Sequence, residues 1–445
     1  MKKNQSRRNF LATAVSGTVA AVVAPSVFAA EKGGVSPTVI PKEAFGANDR
    51  IRVAVLGVNG RGNNHIEDVM KQQNVVIATL CDPDMNILKT KAKSFEEKYK
   101  QKVTIEQDFR KVYDDKNIDA VTLATPNHWH ALQAIYACQA GKDVYVEKPA
   151  THNVFEGKKL IEAAYKYNRI VQHGVQLRSS TAIREAIQHL RNGVIGRVYM
   201  SRGLVYRWRP DIGNKGISRV PDGVNYDLWC GPAPMVPFTQ NLVHYNWHWH
   251  WNYGNGDVGN QGIHETDLCM WGLDVGLPER ITSMGGKFLW DDCKEVPEIQ
   301  TSIYHYPKQK KIIQFEVRNW CTNLEDGAGV GNIFYGDKGY MVIKGYDTYD
   351  TYLGEKREPG PSGKAGGDHF KNWFEAIRAR DMSIQHGPVE TGHLSSALAH
   401  LGNISYRLGR QLEFDPVAER FIGDEDANNM LSREYRAPYL MPDKI

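Results

Sequence analysis

Two short segments carry residues whose types and spacing could do chemistry. Lys148 stands in Glu147-Lys148-Pro149, and His264 stands in Gly262-Ile263-His264-Glu265-Thr266-Asp267. A lysine ammonium can donate to a hydroxyl or polarise a carbonyl oxygen. An imidazole titrates near neutrality and can take a hydroxyl proton. A lysine so placed can donate or polarise in this way while a hydride moves at the carbon that bears the oxygen. Asp267 lies three residues past His264, on the same face of a predicted helix. Asn260 lies four residues before His264, and Asp257 three before that. An amide at 260 can orient a hydroxyl but cannot take a proton, and Asp257 could supply charge from another angle. Taken alone, Glu147-Lys148-Pro149 is a lysine in a turn whose direction Pro149 fixes. His264 alone is a core or capping histidine. The surrounding elements decide.

The first of these is a glycine turn. Ile51 to Leu56 reads as a buried strand that runs into Gly57-Val58-Asn59-Gly60-Arg61-Gly62. A helical pattern follows to Met70, then a strand Val75 to Leu80, and Asp82 lies twenty residues past Gly62. Strand, glycine turn, helix N-terminus and acid form the dinucleotide-binding arrangement. Turn glycines let the backbone approach phosphates, and first-turn N–H groups donate to the anion. Asn59 stands where the usual pattern has its second glycine. Asn tolerates unusual backbone angles, so the turn is kept. Asp82 suits a ribose hydroxyl and repels a 2′-phosphate, which favours NAD.

Further candidates follow. Thr125-Pro126-Asn127-His128-Trp129-His130 leaves a predicted strand at the edge where open α/β sheets bind ligands. Asn246-Trp247-His248-Trp249-His250-Trp251-Asn252-Tyr253 is dense in tryptophan, histidine and asparagine. Aromatic faces stack on sugar C–H groups, while His and Asn bond hydroxyls, so this segment is read as a carbohydrate-binding wall. Its alternative is an aromatic core or subunit interface. His248, His250 and His244 could ligate a metal, but the expectation is none. Tyr206-Arg207-Trp208-Arg209 and Gln176-Leu177-Arg178 are weaker candidates for the same pocket, and an exposed charged edge is the favoured reading of the former.

The elements that must position these residues fall into two patterns. Over 51–173, strands alternate with helices as in a doubly wound parallel sheet. Beyond Gly174, candidate strands at Arg197 to Val205, Ile281 to Leu289, Thr301 to Tyr306, Lys311 to Val317, Asn332 to Tyr335 and Tyr340 to Ile343 follow through short turns. This predicts an α+β domain over 174–445 with a large open, mainly antiparallel sheet, the fold class overall being α/β. Two late helices, Phe370 to Ala379 and His393 to Leu408, should pack back on the body.

The glycine turn, the Glu147-Lys148-Pro149 segment and the later Gly262-Ile263-His264-x-x-Asp267 occur in the order and spacing of one family. The chain resembles the glucose–fructose oxidoreductase, inositol dehydrogenase and related sugar dehydrogenases (Gfo/Idh/MocA type) over nearly all of its length beyond the first 29 residues. The resemblance implies a Rossmann domain followed by an open-sheet domain. It implies Lys148 and His264 as the catalytic pair, with His264 as proton acceptor and Asn260 beside them. It places Thr125, Pro126, Asn127 and His130 by the nicotinamide, with Gly57, Asn59, Gly60, Arg61, Gly62, Asp82, Glu147 and Lys148 completing the cofactor site. Gln176, Arg178, Trp247, His248, Trp249, Trp251, Tyr253, Asp257 and Asp267 are then expected around the substrate. Many relatives have aspartate at position 260, so the asparagine here departs from a simple copy of the inositol dehydrogenase mechanism. The family's open sheet implies a homodimer or homotetramer.

Charge and the N-terminus complete the picture. The net charge of +4 comes entirely from Lys2, Lys3, Arg7 and Arg8. The remainder is balanced, which gives no reason to expect nucleic acid or an anionic membrane. Ser6-Arg7-Arg8-Asn9-Phe10-Leu11, a mild apolar run and Val27-Phe28-Ala29 resemble a twin-arginine export signal over 1–29, followed by a linker over 30–50. The run is too short and polar for a stable membrane anchor. A periplasmic protein that is exported folded would hold its NAD tightly. The six cysteines lack metal or disulfide spacing and read as core thiols. The expected activity is oxidation of a sugar, glycoside or polyol. The alternative is an NAD-dependent glycosidase working by transient oxidation, elimination, water addition and re-reduction. Lys148 and His264 argue against a non-catalytic binder.

Overall fold

The computed structural model describes residues 50–320 and 323–445. The expected signal peptide and nearly all of the expected linker lie outside these residues, as does Cys321. Strands β1 (Ile51–Leu56), β2 (Val75–Cys81), β3 (Thr104–Glu106), β4 (Ala120–Leu123), β5 (Asp143–Val146) and β6 (Val171–His173) form one sheet in the order β3-β2-β1-β4-β5-β6. Every neighbour is parallel. Helices α1 (Arg61–Met70), α2 (Met85–Tyr99), α3 (Phe109–Asp114), α4 (Asn127–Gln139) and α5 (Val154–Lys166) make the crossovers. Both faces are covered, which is why β1 after Arg52 and β4 read as nearly continuous apolar runs rather than alternating ones. The strand order reverses between β1 and β4. Their carboxyl ends therefore open a crevice, where Gly57 and Thr125 stand. β3 and α3 escaped the sequence reading because Thr-Ile-Glu is too short and polar to show a period.

The second half begins with α6 (Thr181–Arg191), β7 (Val198–Tyr206), α7 (Tyr226–Cys230), α8 (Gly256–Asn260) and α9 (Ile263–Leu273). Strands β8 (Arg280–Gly286), β9 (Ile299–Tyr306), β10 (Lys311–Arg318), β11 (Val330–Gly336), β12 (Gly339–Lys344), β13 (Thr348–Leu353) and β14 (Glu358–Lys364) follow. After α10 (His369–Ala379) and α11 (Val389–Leu408) come β15 (Leu412–Asp415), β16 (Arg420–Phe421) and α12 (Glu425–Asn429). The sheet order is β14-β13-β12-β11-β7-β10-β9-β8-β15-β16, antiparallel except where β7 meets β10. β9 alternates buried and half-buried residues, the period expected of a sheet with one packed face. Helices α6, α9 and α11 cover that face. The opposite face carries an Arg202–Glu316–Arg318–Glu325 network and the stacked rings of Tyr340 and Tyr352. β13 and β14 were not foreseen. The Pro- and Gly-containing β14 is tolerated because it forms the sheet's edge.

The two halves share their cores. Phe370, Trp373 and Phe374 of α10 pack with Val53 and Tyr145 of the parallel sheet, the Tyr145 and Phe370 rings stacking at 4.2 Å. Tyr439, Met441 and Ile445 join the core on the sheet's other side. Five described cysteines are free thiols, and four of them are buried.

Candidate active site

The glycine turn is shaped by two close approaches and two positive φ angles. Gly57 has φ of 77° and Gly60 of 43°, angles that favour glycine. A Cβ on Gly57 would stand 2.6 Å from the Ala124 carbonyl oxygen. One on Gly62 would overlap the Gly57 carbonyl oxygen, so Gly62 lets α1 pack directly on the turn. Asn59 needs no unusual angle after all. Positive φ falls on Gly60 instead, and the Asn59 carbonyl accepts from the Gly62 N–H at 2.8 Å.

Asp82 follows β2. Its carboxylate accepts from the N–H groups of Val58 at 3.1 Å and Asp84 at 3.0 Å, while burial pushes its pKa up. A cavity of about 350 Å³ is lined by Gly57, Asn59, Gly60, Arg61 and Asp82. Thr125, Pro126, Asn127, His130, Glu147, Lys148, Trp247, His248 and Asn260 line it too. These residues fit a dinucleotide. Glycines permit the approach, the start of α1 offers N–H groups to the pyrophosphate, and Asp82 offers a carboxylate to the ribose.

Glu147 is the anchor of this wall. Arg61 Nε donates to its Oε1 at 2.6 Å and His65 Nε2 lies 3.2 Å from the same oxygen. Burial would raise the Glu147 pKa, but Arg61 and His65 hold it well below the usual range. The carboxylate therefore stays charged. His65 is one helical turn past Arg61, a spacing that could have revealed it in the sequence. His130 ties two loops together, its ring nitrogens lying 2.6 Å from the Pro149 carbonyl and 2.7 Å from the Thr125 carbonyl.

Lys148 projects from the end of β5 into a chain of side chains. Its Nζ donates to Asn260 Oδ1 at 3.3 Å, and Asn260 Nδ2 donates to Asp257 Oδ1 at 3.3 Å. Asp257 is bound in turn by both arms of Arg209, at 2.8 and 2.7 Å. Because Asp257 takes the amide's N–H, Asn260 must turn its oxygen toward the lysine. Burial lowers the Lys148 pKa, Glu147 and Asp257 acting against that. Arg209 was expected on an exposed edge. It is mostly buried, because the Asp257 carboxylate needs a partner there.

His264 stands on the first turn of α9, buried, its ring edge-on to Tyr346 at 5.5 Å; like Asp257 it lies behind the lining of the cavity rather than in it. Burial and the charge of Lys148 hold its pKa well below the ordinary value. The ring is therefore neutral at pH 7, the form that accepts a proton. Asp257 makes no hydrogen bond to it among the described residues. That carboxylate is spent on Arg209 and Asn260.

The aromatic segment divides. Trp247 and His248 line the cavity together with His244 and Tyr245, their own rings stacked at 3.6 Å. Trp249 and Tyr253 are core residues, and Trp251 lines a different cavity. The cause is the tight helical turn Asn246–Trp249, which sends successive side chains in different directions. Trp249, Trp251 and Tyr253 are thus corrected away from the cavity wall. Arg178 and Asp267 are corrected as well, since they form an ion pair at 2.7 Å beside a separate cavity. Gln176, on the short turn before Arg178, is not in the wall either. Trp229, His244 and Tyr245 line it without having been assigned to it. Tyr245 and His244 adjoin the aromatic segment in sequence, whereas nothing local marks Trp229.

A Rossmann crevice whose far wall holds a lysine, an amide and an aromatic face defines a nucleotide-dependent oxidoreductase. The chain belongs to the Gfo/Idh/MocA oxidoreductase family. Residues 51–175 match its "Oxidoreductase family, NAD-binding Rossmann fold" and 181–278 with 347–441 its "Oxidoreductase family, C-terminal alpha/beta domain". Residues 51–175 are thus an NAD-binding domain. Levoglucosan dehydrogenase of Pseudarthrobacter phenanthrenivorans is 35% identical over 105 residues, 23% of this chain and 27% of that protein. A glycosyl hydrolase family 109 protein of Shewanella baltica is 27% identical over 214 residues, 44% of each chain. The chain thus matches less than half the length of these curated relatives. The WlbA dehydrogenase of Chromobactrium violaceum, solved with NADH and UDP-GlcNAcA, superposes with a TM-score of 0.64 at 19% identity. That match covers 86% of this chain and 99% of that one. At that identity the likeness is one of fold.

Proposed function

We propose that this protein is an exported NAD-dependent oxidoreductase. It moves a hydride between a hydroxyl-bearing carbon of a sugar, glycoside or polyol and a tightly held nicotinamide. One observation carries the reading: Lys148, Asn260 and the Trp247–His248 face line the same cavity as the glycine turn and Asp82. Bound NAD supplies the hydride acceptor. Lys148 donates to the reacting oxygen while Asn260 holds its Nζ, and neutral His264 takes the hydroxyl proton. Trp247 offers a face to sugar C–H groups. His248 Nδ1 lies 2.5 Å from the Tyr245 carbonyl and donates to it, leaving Nε2 to accept from a sugar hydroxyl.

The periplasmic location rests on the Arg7-Arg8 segment, and tight retention of NAD follows from that location. A second substrate would then recycle the cofactor in place. No helix among the described residues is long and apolar enough to cross a membrane. A homodimer or homotetramer would use the open sheet face, where Tyr335, Tyr340 and Tyr352 are half-buried.

The family 109 relatives favour a second reading, a redox-neutral glycosidase. The sugar carbon would be oxidised transiently, the aglycone eliminated, water added, and the hydride returned. Mass analysis of ligand released from denatured, purified protein tests the cofactor, and release of no NAD(H) defeats tight retention. Turnover of glycosides and sugar pairs without added NAD then separates the readings. A keto-sugar means oxidoreductase, and a free reducing sugar with no net oxidation means glycosidase.

A further inference from the structure

A second cavity of about 300 Å³ is lined by His152, Trp251, Asn255, Arg407 and Arg433, and shares no lining residue with the first. Its polar groups are incompletely matched. Arg433 donates to the Asn252 carbonyl at 2.9 Å and to His152 Nδ1 at 3.3 Å, while its Nε has no partner. Since His152 Nδ1 accepts, the ring proton sits on Nε2, and that N–H is also without a partner. Asn255 is 6% exposed. It donates Nδ2 to the His152 carbonyl at 3.3 Å and leaves Oδ1 unmatched. Buried groups left in this way are costly unless something completes them.

The charges point to the kind of ligand. Among the described residues neither Arg433 nor Arg407 forms an ion pair with a carboxylate, and burial lowers the pKa of both. The buried carboxyl that acts on Arg433, Glu156, is itself pushed up to about 7 by burial. Glu295 acts on Arg407 without pairing with it, and Glu434 contributes one exposed carboxylate at the rim. Arg407 lies over the Trp251 ring at 5.0 Å. A donor-rich wall with two unpaired guanidiniums fits an oxyanion. The amides beside it fit hydroxyls, and the volume lies at the lower bound for small-molecule pockets.

We propose that this cavity is a second ligand site that takes an anionic monosaccharide. Its carboxylate lies against the guanidiniums of Arg433 and Arg407, and its hydroxyls lie against the side chains of Asn255 and His152. His152 follows Lys148 by four residues, and Asn255 immediately precedes α8 with Asp257 and Asn260. An occupant therefore braces both segments that hold the Lys148–Asn260 contact. The inference does not depend on which sugar is oxidised.

Titration calorimetry of the full purified protein with sodium glucuronate, glucose and inorganic phosphate tests it. Glucuronate should bind the natural protein and Lys148→Ala alike, and at least tenfold more weakly in Arg407→Met, whose exposed side chain can be replaced without disturbing the fold. Arg433→Gln, checked for an intact melting transition, should lose the heat. Glucose should bind at least tenfold more weakly than glucuronate. Absence of glucuronate heat, or equal affinity in Arg407→Met, overturns the site. Loss of binding in Lys148→Ala overturns it by moving the ligand to the catalytic cavity. Phosphate binding as tightly as glucuronate overturns the sugar assignment.

Discussion

The two walls of the 350 Å³ cavity are held in opposite ways. On the cofactor side the shape is made by backbone, since Gly57 and Gly62 bring chain against chain with no room for a Cβ, while Gly60 turns the chain at positive φ. On the substrate side it is made by side chains, as Lys148 leans on Asn260, Asn260 on Asp257, and Asp257 on Arg209. A backbone wall either fits its ligand or does not. A side-chain wall can be retuned one group at a time. Damage to the first should therefore read out as lost binding, and damage to the second as altered rate, pH dependence or substrate affinity.

The largest effect should come from Gly62→Ala. The added methyl meets the Gly57 carbonyl oxygen, so α1 must move off the turn. NAD affinity should fall at least about 100-fold, or ~2.7 kcal/mol, measured by calorimetry or by the cofactor content of purified protein. Retention of normal cofactor content would break the contrast between the walls.

Lys148→Ala should come next. Cofactor content should stay near normal while turnover falls about 10²–10⁴-fold, the range for a positioned proton donor. A parallel loss of NAD would mean that Lys148 belongs to the backbone wall's task instead.

The same division explains what could be read from the sequence. The turn glycines act through local backbone geometry, and Asp82 and Glu147-Lys148-Pro149 stand just past the ends of recognisable parallel strands, so their positions along the chain already marked them. The parallel sheet was legible for a similar reason, because its buried strands alternate with helices in one direction. Arg209 and Trp229 meet the site only through contacts distant in sequence; the composition around Arg209 made it a weak candidate, and no period or motif marks Trp229. Trp249, Trp251 and Tyr253 looked like one surface because composition does not say which way a tight helical turn sends each ring. Arg178 and Asp267 showed the right types for a polar pocket, but complementary charges satisfied one another first. The prolines in β14 hid an edge strand.

Asp257→Asn should have a smaller and more specific effect. Asp257 favours the charged form of Lys148, whereas burial and Arg209 oppose it. Removing the carboxylate should lower the Lys148 pKa further below 10.5. A rate that needs the ammonium is lost as pH rises through that pKa, so the alkaline limb of kcat should move to lower pH. At pH 7 we expect kcat to fall about tenfold, with NAD affinity unchanged. No acid limb from His264 should appear between pH 6 and 8, because that ring is already neutral there. An unmoved alkaline limb would disconnect Asp257 from the lysine.

The smallest effect sharpens the comparison within the aromatic segment itself. Trp247→Ala removes a ring that lines the cavity, and Trp251→Phe changes one that does not. Loss of an aromatic face against a sugar is worth about 1 kcal/mol, near the value for aromatic pairs, so Trp247→Ala should raise KM about fivefold with little change in kcat. Trp251→Phe should leave the KM of the oxidised sugar within about twofold, since the ring lies in another cavity, under Arg407. Both variants carry their residue within five positions of each other, so distance along the chain predicts equal effects and the geometry predicts unequal ones. Equal KM values for the two variants would mean that the segment acts as one wall, and that the second cavity opens onto the first when sugar binds.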